Sequence, residues 1–199
     1  MKGMGRIVAF CLIILVLVAG WIWRYCTMNA QYKSSNNELR EVYSMGEIVP
    51  FGTNYTLQGL QADGYSLRVD SFTIVNYDGF LTEIGLDLET TNNVPEKLAL
   101  VYITLFNDES TADGVMLTDF WLHGIDNYVS VDPDVLAAIN PVLATGYGIS
   151  LSPGTEYSLI IPFDLPQVLF GNDTWRNIED YMFYLHITNY PTEKDILVK

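Results

Sequence analysis

The chain reads as mainly β: an immunoglobulin-like antiparallel β-sandwich with one short inserted helix, preceded by a single N-terminal transmembrane helix. Three observations predict this. The first is an apolar run near the N-terminus, Ile7 to Trp23. The second is a set of later segments whose apolar side chains alternate with period two and are broken by Gly, Pro, Asn and Asp. The third is that only one stretch, "DPDVLAAINP", carries both the start and the stop signal of a helix.

The N-terminal run holds 17 residues without a charge. As a helix it would cover about 26 Å, close to the roughly 30 Å hydrocarbon core of a bilayer. Eleven of the 17 are Leu, Ile, Val or Phe, each favouring insertion by about 0.3–0.6 kcal/mol. Val18-Ala19-Gly20 offers a small-residue cleavage site, but Trp21, Trp23, Arg24 and Tyr25 follow at once. Such aromatic and basic residues suit the membrane interface of a retained anchor better than the exit of a cleaved leader. The expected organisation is therefore a cytoplasmic stub over 1–6, a transmembrane signal anchor over 7–25, a polar tether over 26–42 and an extracytoplasmic domain over 43–199. Lys2 and Arg6 before the span nearly balance Arg24, Lys33 and Arg40 after it, and the shortness of the stub decides the orientation. The result is a single-pass protein of the cell membrane.

Charge excludes one class of partner. All 24 Asp and Glu residues follow Arg24, against seven Lys and Arg, and the whole chain carries a formal charge of −14. Such a field repels nucleic acid and anionic headgroups, so no nucleic-acid binding is expected. Two cysteines do not make a disulfide framework. Cys11 and Cys26, about 22 Å apart along a helix, cannot pair within one chain. Cys26 is left to pair with another chain, to carry an acyl group or to remain a free thiol.

The β segments follow in order. In "YSLRVDSFTIVN", Leu67 and Val69 share one parity while Phe72 and Ile74 have the other, so a bulge near Asp70-Ser71 is needed to send all four inward. "IGLDLET" reads as a strand with Ile84, Leu86 and Leu88 inward, and "YDGF" before it reads as turn chemistry. "KLALVYITLFN" is apolar on both faces, Ala99, Val101, Ile103 and Leu105 against Leu98, Leu100, Tyr102 and Phe106. That pattern belongs to a central strand covered on its second side by another segment. "DPDVLAAINP" places Asp132 as N-cap before Pro133 and stops at Asn140-Pro141. "EYSLIIPF" alternates Tyr157, Leu159, Ile161 and Phe163, with Pro162 marking an edge or a strand end. "MFYLHIT" sets Phe183, Leu185 and Ile187 on one face and Met182, Tyr184 and His186 on the other.

The progression "VYSMGEIVPFG", "GYSLRVDSFTIV", "KLALVYITLFND" and "LSPGTEYSLIIPFDLP" resembles the membrane-anchored, telokin-like extracytoplasmic domains of unknown function of Gram-positive bacteria, over most of residues 42–188. The resemblance implies an immunoglobulin-like sandwich outside the cell and no known catalysis. Residues 113–145 are longer than the simple version of that fold needs.

No residue pattern announces catalysis. His123, in an expected loop, and His186, on an outward strand face, are the only histidines, and neither stands in a motif such as H-E-x-x-H. Surface or packing roles are favoured for both over a zinc site built from the pair with a distant carboxylate. No G-x-S-x-G turn is present for a nucleophilic serine. No cofactor is expected. Calcium is the minority alternative, through the oxygen donors Asn107, Asp108, Glu109 and Asp113 of "NDESTADG". Candidate partner-binding residues are Phe120, Trp121, Tyr128 and Trp175, because aromatic rings beside carboxylates anchor proteins or stack on sugars. The competing expectation is that the segment holding Phe120 and Trp121 simply folds over the outer face of the Leu98–Phe106 strand. The sequence reading is thus a binding module that contacts the bilayer through 7–25 and another envelope or membrane protein, such as a transporter or sensor complex, through its domain. An envelope hydrolase with metal- or carboxylate-assisted chemistry, or a sugar-binding module using Trp121 or Trp175, is the alternative.

Overall fold

A computed structural model describes residues 15, 17–25, 39–86, 95–109, 114–125, 127–143 and 146–199. The chain divides into two compact units, Met1–Arg40 and Glu41–Lys199. In the first, residues 17–25 are helical and exposed, and the rings of Trp21 and Tyr25 stack at 5.6 Å. Much of the expected span over 7–25, most of the tether over 26–42 and both cysteines lie outside the described residues. Among the described residues no helix is long and apolar enough to cross a membrane.

The second unit is a mainly β sandwich with a few short helices. Its strands are β1 (Arg40–Ser44), β2 (Ile48–Pro50), β3 (Tyr65–Asn76), β4 (Lys97–Asn107), β5 (Val115–Met116), β6 (Trp121–His123), β7 (Tyr128–Ser130), β8 (Gly148–Ile149), β9 (Thr155–Leu165), β10 (Tyr184–Thr188) and β11 (Glu193–Leu197). Its α-helices are α1 (Tyr77–Ile84), α2 (Pro133–Ile139) and α3 (Asn172–Arg176). One sheet runs β1-β11-β10-β6-β7, the second β2-β3-β4-β9, and β5 pairs with β8. Because β1 begins at Arg40, the last three residues of the expected tether are already in a strand.

The two larger sheets close on one core. Leu67, Val69, Val101, Ile103, Leu105, Ile161 and Phe163 of one sheet pack with Leu122, Leu185, Ile187 and Ile196 of the other. The expected bulge is present: the β3–β4 register shifts between Val69 and Ser71, which brings Phe72 and Ile74 back against the core. Strand β4 pairs on one side with β3 and on the other with β9, so it is central as its two apolar faces require. Its second face, Leu98 and Leu100, is covered by Tyr77 and Leu81 of α1 and Val135 of α2. Each of these fully buried leucines contributes about 1.5–3 kcal/mol relative to exposure.

The expected strand over "IGLDLET" is corrected at its start, the part that is described: Ile84 ends a helix, Gly85 caps it and Leu86 lies outside any strand. Residues 77–84 are α1, whose apolar Tyr77, Phe80, Leu81 and Ile84 recur at helical spacing. Asn76 caps it by accepting a bond from the Gly79 N–H at 2.9 Å, and Gly85 closes it at φ 70°, where a side chain would be strained. The "YDGF" turn chemistry is the first turn of this helix, and residues 87–94 lie outside the described ones. Helix α2 starts as the sequence requires, with Asp132 accepting from the N–H groups of Asp134 and Val135 and Pro133 in the first turn.

The free side of β9 is occupied by this helix and its flanks. The side-chain amide of Asn140 accepts from Ile160 N at 3.0 Å and donates to Ile160 O at 2.8 Å. The Asp132 N–H donates to Pro162 O at 2.9 Å. Asp132 also accepts from the Tyr77 hydroxyl at 3.4 Å, tying α1 to α2. Burial, then the Asp132 charge, raises the Tyr77 hydroxyl to about 12. The same two causes raise the Asp164 carboxyl from its ordinary 3.8 to about 7.

Two predictions follow from this packing. Asp164 binds its proton more tightly folded than unfolded, so its contribution to stability is greatest below about pH 4 and is lost as pH rises toward about 7. Asp164→Asn should therefore gain stability relative to the parent as pH rises through that window, read as the difference between urea unfolding curves. A pH-independent difference would refute the assignment. A Cβ on Gly124 would enter the Tyr181 ring, which is packed at 5.0 Å against Phe183. Gly124→Ala should cost about 1–3 kcal/mol by overcrowding, and adding Tyr181→Ala should cost less than the sum of the two single changes.

Candidate functional site

The alternation that buries Leu122, Leu185 and Ile196 sends their neighbours to the outer face of the five-stranded sheet. His123 of β6, His186 of β10 and Asp195 of β11 meet there. The register sets His186 opposite Asp195 and His123 opposite Tyr184, two residues away along β10 on the same face. All three are buried despite facing outward, with His123 5%, His186 7% and Asp195 0% exposed. His123, expected in a loop, is in a strand. His186 is on the outward face as expected, but covered.

Both imidazoles converge on one oxygen. His186 Nδ1 lies 3.0 Å and His123 Nε2 3.2 Å from Asp195 Oδ1, and Glu193 Oε1 is 3.7 Å from the same His186 nitrogen. The other nitrogen of His123, Nδ1, is 3.0 Å from the carbonyl oxygen of Gly124. A carbonyl only accepts, so Nδ1 carries the proton. Burial alone would raise the Asp195 carboxyl, but hydrogen bonds and charge from His123 and His186 outweigh it and hold the group well below the usual carboxylate range. Nearby, Lys194 is buried and donates to Pro50 O at 2.6 Å. Burial lowers its pKa, opposed by Glu41.

Aromatic rings frame the cluster. Tyr128 and Tyr184 stack on His123 with centroids at 5.1 and 5.4 Å, and Trp121 meets Tyr128 edge-on at 6.2 Å. Tyr128 is exposed, and Trp121 and Tyr184 are half-buried. Of the sequence candidates, Trp121 and Tyr128 are therefore brought together on an accessible face. Phe120 is not: it is fully buried and stacks on Phe51 in the core. Trp175, on α3, packs against Phe170 at 5.9 Å and under the Lys97 ammonium.

Of the calcium candidates, Asn107, Asp108 and Glu109 are among the described residues. Asn107 is buried and donates to Leu151 O, Asp108 accepts from the Ser66 hydroxyl, and Glu109 is exposed. Asp113 lies outside the described residues. Among the described residues the one group of three or more His, Cys, Asp or Glu with ligand atoms close together is His123, His186 and Asp195. A cavity of about 450 Å³ lies on the other sheet, beside Asp70, Tyr102, Tyr157 and Ile160, and no histidine lines it.

Asp195 was absent from the residues singled out by sequence. A hairpin signal was available: "EKDILV" follows "MFYLHIT" after a Pro-containing turn, and folding the two together pairs position 195 with 186. Nothing local joins His123 to them.

Comparison with known proteins assigns no activity. No curated protein matches the chain. A solved structure, an uncharacterized β-sandwich protein from Clostridium difficile 630, aligns at a TM-score of 0.39 with 10% identity, over 82% of this chain and 99% of that one. Residues 40–194 match a family described as a domain of unknown function (DUF5028), and the chain belongs to that family.

Proposed function

We propose that the chain is a membrane-tethered, extracytoplasmic binding module of a Gram-positive envelope that acts on an envelope or membrane protein through the aromatic face of its five-stranded sheet. The observation that carries this reading is the continuous row of rings across β7, β6 and β10: Trp121, Tyr128, His123 and Tyr184. Contiguous, partly exposed aromatics on a rigid sheet anchor a partner at low entropic cost, because each ring has few torsions left to freeze. The uncharged run over 7–23 supports the tether, and a tether would confine the face to partners near the bilayer.

An immunoglobulin-like, telokin-like arrangement is part of this proposal. The order β11-β10-β6-β7 follows the G-F-C-C′ face of a variable-type domain, with β1 added beside β11. The order β3-β4-β9 of the second sheet takes the places of A-B-E in the same scheme, with β2 added beside β3. The sugar-binding alternative has Trp121 on its side but not Trp175, whose ring is taken up by Phe170 and Lys97.

Two measurements test the reading. After membrane fractionation the full chain should stay in the bilayer through an alkaline wash, and its acidic domain should be cut by protease added to wall-stripped cells. A photo-crosslinking residue in place of Tyr128 should capture one discrete membrane or envelope protein, and one in place of the exposed Val168 should not. Equal, diffuse capture from both positions would remove the proposed face.

A further inference from the structure

We propose that His123, His186 and Asp195 form a binding site for one divalent transition-metal ion of the zinc class on the outer face of the five-stranded sheet. The inference stands on these three side chains and not on the docking partner proposed above.

Geometry is the first support. His123 Nε2 and His186 Nδ1 lie 3.2 and 3.0 Å from Asp195 Oδ1, and all three ligand atoms are within 4.8 Å of one another. A tetrahedral ion at about 2.0–2.1 Å from each donor holds its donors about 3.4 Å apart. To admit one, the two imidazole–carboxylate separations open by a few tenths of an ångström, and the two imidazole nitrogens, which lie within 4.8 Å of each other, come to the same spacing.

Protonation is the second. The bond from His123 Nδ1 to Gly124 O fixes a proton on that nitrogen and leaves Nε2 facing the carboxylate. This is the second-shell arrangement that prepares an imidazole for a metal. A neutral His123 would then set its lone pair against a carboxylate oxygen 3.2 Å away. A positive centre belongs between them, either a second proton on the ring or a metal ion.

Rigidity is the third. The donors sit on three adjacent strands and the two tyrosines clamp the His123 ring from its two faces. Little ordering entropy remains to be lost when the ion enters. The donor set also selects the ion: two imidazole nitrogens and one carboxylate oxygen suit zinc, cobalt or nickel, whereas calcium and magnesium take oxygen donors. Glu193, 3.7 Å from His186, is placed to supply a fourth donor.

The test uses the full chain in detergent, stripped with a chelator. Titration with Co²⁺ should give the visible absorption of a tetrahedral site, saturating at one ion per chain, and Zn²⁺ should displace it while Ca²⁺ and Mg²⁺ do not. Zn²⁺ should also raise the unfolding temperature of the parent protein in a concentration-dependent way, a readout that needs no variant. Asp195→Asn and His186→Gln, each checked for a native near-ultraviolet circular dichroism spectrum, should weaken binding more than about tenfold, the lower end of what losing a mere second-shell partner costs. A parent protein that shows neither the absorption nor the thermal shift overturns the site. So does Co²⁺ binding that persists unchanged in a variant shown to be folded.

Discussion

Strand β4 has no polar face, and the need to bury both of its sides governs the architecture. Ala99, Val101, Ile103 and Leu105 demand an opposing sheet, while Leu98 and Leu100 demand a second cover. A sheet with one wet face cannot satisfy such a strand. The chain answers with α1 and α2, which leave the ends of β3 and β7 and lie on the outer side. Asp132 joins the two helices by capping one and accepting the Tyr77 hydroxyl of the other. The cost is an acidic pair, Asp132 and Asp164, in a place where two charges are poorly solvated.

The same constraint reaches the histidines. The sheet facing β4 must turn Leu122, Leu185 and Ile196 inward, and in a strand the residue beside an inward one points outward. His123, His186 and Asp195 are thus fixed on one face by hydrophobic neighbours that take no part in their chemistry. A slip of one residue in any of the three strands would break the cluster and the core together. The site is as rigid as the sandwich itself.

Much of this was legible because the deciding signals were local. The parity change between Val69 and Phe72 located the bulge, and Asp132-Pro133 located the start of α2. Helix α1 was misread because Asp78 and Gly79 are turn formers, and Ile84, Leu86 and Leu88 alternate as a strand would. The outcome was decided by Asn76 and Gly85 as caps and by the apolar face of β4 waiting to be covered. The histidine cluster was less legible for a different reason. His123 and His186 are 63 positions apart, and only the strand order, set by long-range packing, makes them neighbours.

Asn140, Asp132 and Pro162 bear on how the domain meets other chains. The lateral rim of β9 would ordinarily be an open row of peptide groups, ready to recruit a foreign strand. Here the Ile160 peptide is already answered by a side-chain amide, Pro162 has no N–H to offer, and its carbonyl is taken by Asp132. At the opposite rim β2 is only 3 residues long. Strand donation, with its indifference to sequence, is thereby discouraged along this stretch of β9, while beyond β2 strand β3 continues to Asn76. In the binding role proposed above, recognition would fall to side chains, which is the condition for a domain to discriminate among companions instead of aggregating with them.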